Sequence, residues 1–191
     1  HLLFFRCIFQ RMGKIKNLRW NNILITGRPG VGKTSVILKV VQQFPGRIGG
    51  FITKEIKESG KRAGFKLETL DGKGGILAHI NVKSPYKISK YGVNIEDLEK
   101  IGVSSIKNAL EDCELIIIDE IGKMELFSTS FKNAVLDTLN SNVQVLATIT
   151  RSNLSFVNYI KSRKDVIILD ITVKNRTNIH KKILKLLKKE T

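Results

Sequence analysis

The sequence predicts an α/β fold, a mostly parallel sheet flanked by helices with an antiparallel hairpin insertion, and three observations predict it. Apolar, strand-sized runs alternate with helical stretches through most of the chain, as they do where helices cover a parallel sheet. A glycine-rich stretch separates the first of these strands from the first helix. One run, Leu115-Ile116-Ile117-Ile118, is continuously apolar, the mark of a strand buried on both faces. With 191 residues, 42% of them hydrophobic and 26% charged, the chain can bury a sizeable core and lies far from the composition of disorder.

In chain order, residues 1–11 lack an initiating Met, a polar region ahead of their apolar run and a small-residue cleavage site. They read as an extension outside the domain, with an amphipathic anchor as the weaker alternative to it and a signal peptide disfavoured. Residues 12–191 read as one domain. A strand over 23–26 leads through the glycine stretch into a helix over 35–44, ended by Pro45-Gly46. Alternating runs over 50–56 and 62–70 flank the turn Glu58-Ser59-Gly60-Lys61, a hairpin, and a further strand covers 75–80. Asn94 can cap a helix reaching about Asp112, with a break near Gly102. The remainder reads as strand 114–118, helix 131–139, strand 143–149, helix 154–161, strand 166–171 and a basic amphipathic helix 177–189 whose apolar stripe is expected to pack on the sheet.

The glycine stretch carries the chemistry. Gly27-Arg28-Pro29-Gly30-Val31-Gly32-Lys33-Thr34 satisfies G-x-x-x-x-G-K-[ST] between a strand and a helix, the context in which that spacing cradles phosphates. Glycines let backbone N–H groups turn inward, and the helix N-terminus adds unpaired donors and partial positive charge. Lys33 is placed to bridge the terminal phosphates, and the Thr34 hydroxyl to ligate Mg²⁺. Arg28 and Pro29 shape the loop. At the other motif, Asp119 and Glu120 follow the buried strand directly, at the carboxyl end where ligands bind in open α/β sheets. Asp119 can hold the metal and Glu120 can orient and deprotonate a water. An activated water favours hydrolysis over transfer to another acceptor.

Together these segments carry a specific resemblance. The phosphate loop, the hairpin residues Gly50-Phe51-Ile52-Thr53-Lys54-Glu55-Ile56 and Lys61-Arg62-Ala63-Gly64-Phe65, and above all Asp119-Glu120-Ile121-Gly122-Lys123-Met124-Glu125-Leu126 resemble the small nucleoside-triphosphatase family first known from thermophiles, which has a human cancer-related member. Tyr91-Gly92-Val93-Asn94, Ala147-Thr148-Ile149 and Asn175-Arg176 fit its pattern in order, whereas Ile88-Ser89 stands where relatives commonly carry Val-Gly. The resemblance implies a RecA-like P-loop NTPase fold and slow, Mg²⁺-dependent hydrolysis of ATP, GTP and other triphosphates with broad base specificity. It also implies two nucleotide-contacting segments, Gly27 to Thr34 and Leu115, Ile116, Ile117, Ile118, Asp119, Glu120, Ile121 and Gly122.

Several accessory candidates follow from position. Lys123 can reach the terminal phosphate with Glu125 positioning it, though a salt-bridged loop explains both equally. Thr148, at the end of the strand after the acidic one, can sense that phosphate. Arg151 and Arg62 are candidate arginine fingers, with solvated loop positions the plainer account. Asn175 and Arg176 can lie against the base, and helix capping explains them as well.

Lys and Arg number 33 against 17 acidic residues, a formal charge of +16, which draws polyanions at low salt. Nucleic acid is therefore a possible partner, not favoured because the lysines are scattered and no basic-aromatic recognition motif interleaves them. No apolar run approaches the roughly 20 residues that span a bilayer, so no membrane partner is expected. Cys7 and Cys113 show no metal spacing and suit a reducing, cytoplasmic setting. Oligomeric state is open, with a monomer slightly favoured. Two rivals remain: a nucleotide or nucleoside kinase of related fold, and a nucleotide-gated nucleic-acid-binding protein.

Overall fold

A computed structural model describes residues 22–187; the expectations for residues 1–11, Cys7 and the last four residues fall outside it. Among the described residues nine strands form one sheet: β1 (Asn22–Gly27), β2 (Ile48–Glu58), β3 (Lys61–Thr69), β4 (Gly74–His79), β5 (Lys87–Ile88), β6 (Tyr91–Val93), β7 (Leu115–Ile121), β8 (Gln144–Ile149) and β9 (Val166–Ile171). Their order across the sheet is β5-β6-β4-β3-β2-β7-β8-β1-β9. From β2 to β9 all pairings are parallel, and from β2 to β5 all are antiparallel. β8 stands between β1 and β7, the RecA-like arrangement.

The expected antiparallel hairpin grows directly out of the parallel sheet. β2 belongs to both halves of the sheet, since Phe51 pairs with Ile118 of β7 and with Thr69 of β3. Its first residues complete the parallel set and the rest of it continues alone with β3.

Helices α1 (Lys33–Gln43), α2 (Ser104–Asp112), α3 (Thr129–Asn140), α4 (Ser155–Ser162) and α5 (Ile179–Leu187) cover the two faces. Ile116 and Ile118 of β7 point into a core with Phe51, Phe131, Ala134 and Val145. Leu115 and Ile117 point the other way, onto Val36, Ile37 and Val40 of α1 and Ile183 and Leu184 of α5. Alternation onto two apolar layers is why the run 115–118 has no polar member. Each such side chain, removed fully from water, contributes about 1.5–3 kcal/mol.

Two local features differ from expectation. The helix before β7 does not break at Gly102: after a turn capped by Asn94, whose Oδ1 accepts from the Asp97 N–H at 3.1 Å, Leu98–Val103 is π-helical and runs straight into α2. β5 and β6, two and three residues long, are too short for alternation to announce them. The apolar stripe of α5 packs on the sheet as expected, through Ile183, Leu184 and Leu187. Among the described residues no helix is long and apolar enough to cross a membrane.

Candidate active site

The carboxyl ends of the parallel strands bring the two motifs to one edge. The phosphate loop rises from β1, Thr148 lies at the end of β8 with Thr150 just beyond it, and Asp119 and Glu120 lie at the end of β7. Gly32 opens α1 with φ of 105°, a left-handed conformation that glycine adopts without the clash a Cβ would bring. It turns the chain from loop into helix, and the first intrahelical bond runs from the Val36 N–H to its carbonyl at 3.0 Å. The N–H groups of the first turn, on Lys33, Thr34 and Ser35, are left to an anion. Lys33 Nζ donates to the Gly27 carbonyl at 3.3 Å, which keeps the ammonium over the mouth of the loop.

Asp119 is 2% exposed and held from three sides. The Thr34 hydroxyl donates to its Oδ2 at 2.6 Å, the Thr148 hydroxyl donates to its Oδ1 at 2.6 Å, and the Thr53 N–H of β2 also donates to it. Burial pushes this carboxyl up from the ordinary range, opposed by the two hydroxyls and by Lys33. Thr34 and Asp119 present hard oxygens side by side, the donor chemistry that Mg²⁺ selects, so the residues present fit that ion.

Glu120 lies beside them, raised by burial and lowered by Lys33. Glu125 is the third carboxyl, 4% exposed and pushed to about 8, chiefly by burial and next by Glu120. It accepts hydrogen bonds from its own N–H and that of Gly122. A Cβ on Gly122 would stand 2.9 Å from Glu120 Oε1 and 3.0 Å from Glu125 Oε2, so a larger residue there would push one of the two carboxyls aside.

These groups line a cleft of about 630 Å³, with Gly27, Pro29, Gly30, Gly32, Lys33 and Thr34 on one side and Asp119, Glu120, Gly122, Lys123 and Glu125 on the other. The volume falls within the usual range for small-molecule sites. A smaller cavity of about 190 Å³, near Gly49, Asp71, Lys100 and Cys113, holds none of the motif residues.

The remaining candidates divide between the cleft and its surroundings. Leu115, Ile116, Ile117, Ile118 and Ile121 are fully buried and lie off the cleft wall, as do Arg28 and Val31. Thr148 reaches the site through Asp119. Arg62 and Arg151 line the cleft, but Arg62 is paired with Glu55 and Arg151 with Asp170. Asn175 closes a turn, accepting from the Thr172 N–H and donating to the Asp170 carbonyl. Arg176 lies against the outside of the phosphate loop and donates to the Val31 carbonyl at 3.4 Å. The sequence reading gave no site role to the Thr53 N–H, nor to the cleft wall made by Phe65, Leu77, Ile88 and Met124. Those residues come from separate strands and one loop, and no spacing links them.

A protein-family model described as NTPase matches residues 22–184. The chain is 51% identical over 166 residues to a protein of Thermotoga sp. (strain RQ2) named Nucleoside-triphosphatase THEP1, covering 87% of this chain and 95% of that one. Among solved structures, THEP1 from the hyperthermophile Aquifex aeolicus superposes with a TM-score of 0.81 at 35% identity, over 88% of this chain and 99% of the other. The solution structure of a human cancer-related nucleoside triphosphatase gives 0.75 at 33% identity, over 89% and 98%.

Proposed function

We propose, from the premise that this chain belongs to the NTPase family, that it hydrolyses ATP, GTP and other nucleoside triphosphates to diphosphate and phosphate, slowly, with Mg²⁺ and little choice of base. It is a hydrolase of the kind its relatives' names describe. The observation that carries the finer reading is the chain of contacts from Thr34 through Asp119 to Thr148, with Glu120 next to it and the phosphate loop facing it.

Backbone N–H groups of the loop and the Lys33 ammonium hold the phosphates, which every nucleoside triphosphate shares; this supports broad base use. Thr34 and Asp119 would hold Mg²⁺, which when bound neutralises charge building on the phosphate oxygens. Thr148 keeps the Asp119 carboxylate turned toward Thr34. Glu120 accepts the proton of the attacking water, and its burial brings it nearer the pH at which a general base works well. Slow turnover is supported by the two cleft arginines, both tied into ion pairs, since a free guanidinium on the transferring group is what accelerates related reactions.

The test is phosphate release from ATP, GTP, CTP and UTP, with Mg²⁺ and with excess chelator, by the parent chain and Lys33→Ala. Release from all four, lost with chelator and in the variant, is expected. Release that persists in the variant would remove the phosphate loop from the reaction.

A further inference from the structure

The lining of the cleft does not stop at the phosphate loop and the acidic strand end but continues onto Thr53, Lys54, Glu55, Arg62 and Phe65 of the β2–β3 hairpin. Along the sheet edge the phosphate loop, the end of β8, the acidic end of β7 and the β2–β3 hairpin follow one another. β2 last pairs with β7 at Phe51 and runs on to Glu58, so the hairpin stands about 20 Å above that point at 3.3 Å per residue. A triphosphate spanning Lys33 and the Thr34–Asp119 pair has its terminal phosphorus toward β7. The hairpin therefore bounds the space beyond that phosphorus, the side from which an in-line nucleophile comes. Asn175 and Arg176, at the far end by β9, do not line this cleft.

The chemistry of that wall is specific. Phe65, Leu77, Ile88 and Met124 give it an apolar surface. The Phe65 ring is held edge-on by Tyr91, with centroids 5.5 Å apart, and the Arg62 guanidinium lies over it at 5.5 Å. Lys54 and Lys123 also line the cleft, and Lys123 has no hydrogen bond or ion pair among the described residues. Water needs neither a ring to lie on nor a spare cation beside the reacting phosphate.

We propose that the hairpin half of the cleft is a second-substrate subsite, taking a small anion with a flat apolar body, of the mononucleotide class, and presenting its phosphate oxygen to the terminal phosphorus in place of water. The acceptor's flat ring lies on the Phe65 side and its phosphate by Lys123. A lone pair of that phosphate oxygen forms the new P–O bond, the bond from the terminal phosphorus to the bridging oxygen breaks, and its electron pair leaves with the nucleoside diphosphate. No proton is lost from the acceptor, so this transfer does not need Glu120, whereas attack by water does. The inference rests on the triphosphate placement proposed above.

The experiment uses the full chain with Mg²⁺ and ATP labelled in its terminal phosphate, and AMP, GMP, CMP and UMP in turn as probes, reading labelled diphosphate and labelled inorganic phosphate together. Labelled diphosphate is expected from at least one probe. It should fall about tenfold in Phe65→Ala and in Ile88→Glu, a loss matching about one ring contact, while phosphate release without a probe stays unchanged. Ile88 sits on the two-residue strand β5, so its variant stands as a check should Phe65→Ala loosen the hairpin. Transfer should also survive in Glu120→Gln. Release without any transfer, or transfer that both wall variants leave intact, overturns the subsite and leaves the hydrolase standing. Loss of both reactions in the parent chain overturns the triphosphate placement as well.

Discussion

Glu125 and Thr148 show how single side chains set the properties of this site. Glu125 ionises near 8 in the folded chain against an ordinary value of 4.5. Between those values the folded state holds a proton that the unfolded chain has released, so stability falls as pH rises through the window and levels above it. Glu125→Gln keeps a carbonyl to accept from Gly122 and has no charge to bury. The variant should match the parent in melting temperature near pH 4.5 and exceed it increasingly toward pH 8, by a few kcal/mol at most; a difference independent of pH would show that the carboxyl is not buried as described. Thr148→Val removes the hydroxyl that donates to Asp119 at nearly constant shape. The lost bond, worth about 1–2 kcal/mol, should lower kcat by about tenfold with KM little changed, and Thr148→Ser should restore it. An unchanged kcat in the Val variant would sink the role given to Thr148. Neither contact was legible as such in the sequence. Thr148 lies 29 residues from Asp119 on the neighbouring strand, and Thr is common in strands regardless of function. Glu125 read equally as a residue positioning Lys123 or as part of a salt-bridged loop, and its burial was not foreseen because burial of a carboxyl leaves no mark on local spacing.

At the scale of elements, what could be read from sequence was whatever repeats over five or more residues. The alternation of β2 and β3 and the loop between β1 and α1 meet that condition, and the four-residue apolar run of β7 is marked by having no polar member, so the phosphate loop and Asp119-Glu120 were placed at the right strand ends. The π-helical stretch Leu98–Val103 keeps a helical pattern while shifting its phase, and it read as a break. Ser128 caps α3: its Oγ accepts from the Phe131 N–H at 3.0 Å and donates to Glu99 at 2.6 Å, tying the π-helical stretch to α3. Ser128→Ala loses a cap and strands the Glu99 carboxylate, and should lower the unfolding free energy by about 1–2 kcal/mol in urea titration. The KM for ATP should not move, because neither residue lines the cleft; a shifted KM would show that the cap helps shape the site.

For the whole molecule, the fold's main consequence is juxtaposition. The end of β1 at Gly27 and the start of β7 at Leu115 are 88 residues apart in sequence, yet only β8 separates the two strands in the sheet, and that order of strands is invisible to local patterning. The charge of +16 is a separate, global property. It should give RNA binding that weakens steeply with salt and leaves phosphate release unaltered; turnover stimulated by RNA at moderate salt would instead make nucleic acid part of the function. Phosphate release and nucleotide binding by Glu120→Gln, set against the parent chain with saturating ATP and Mg²⁺, test most directly whether Glu120 takes the proton of the attacking water. Binding retained with release lowered about 10²- to 10⁴-fold is the predicted result, and undiminished release by the variant would contradict it.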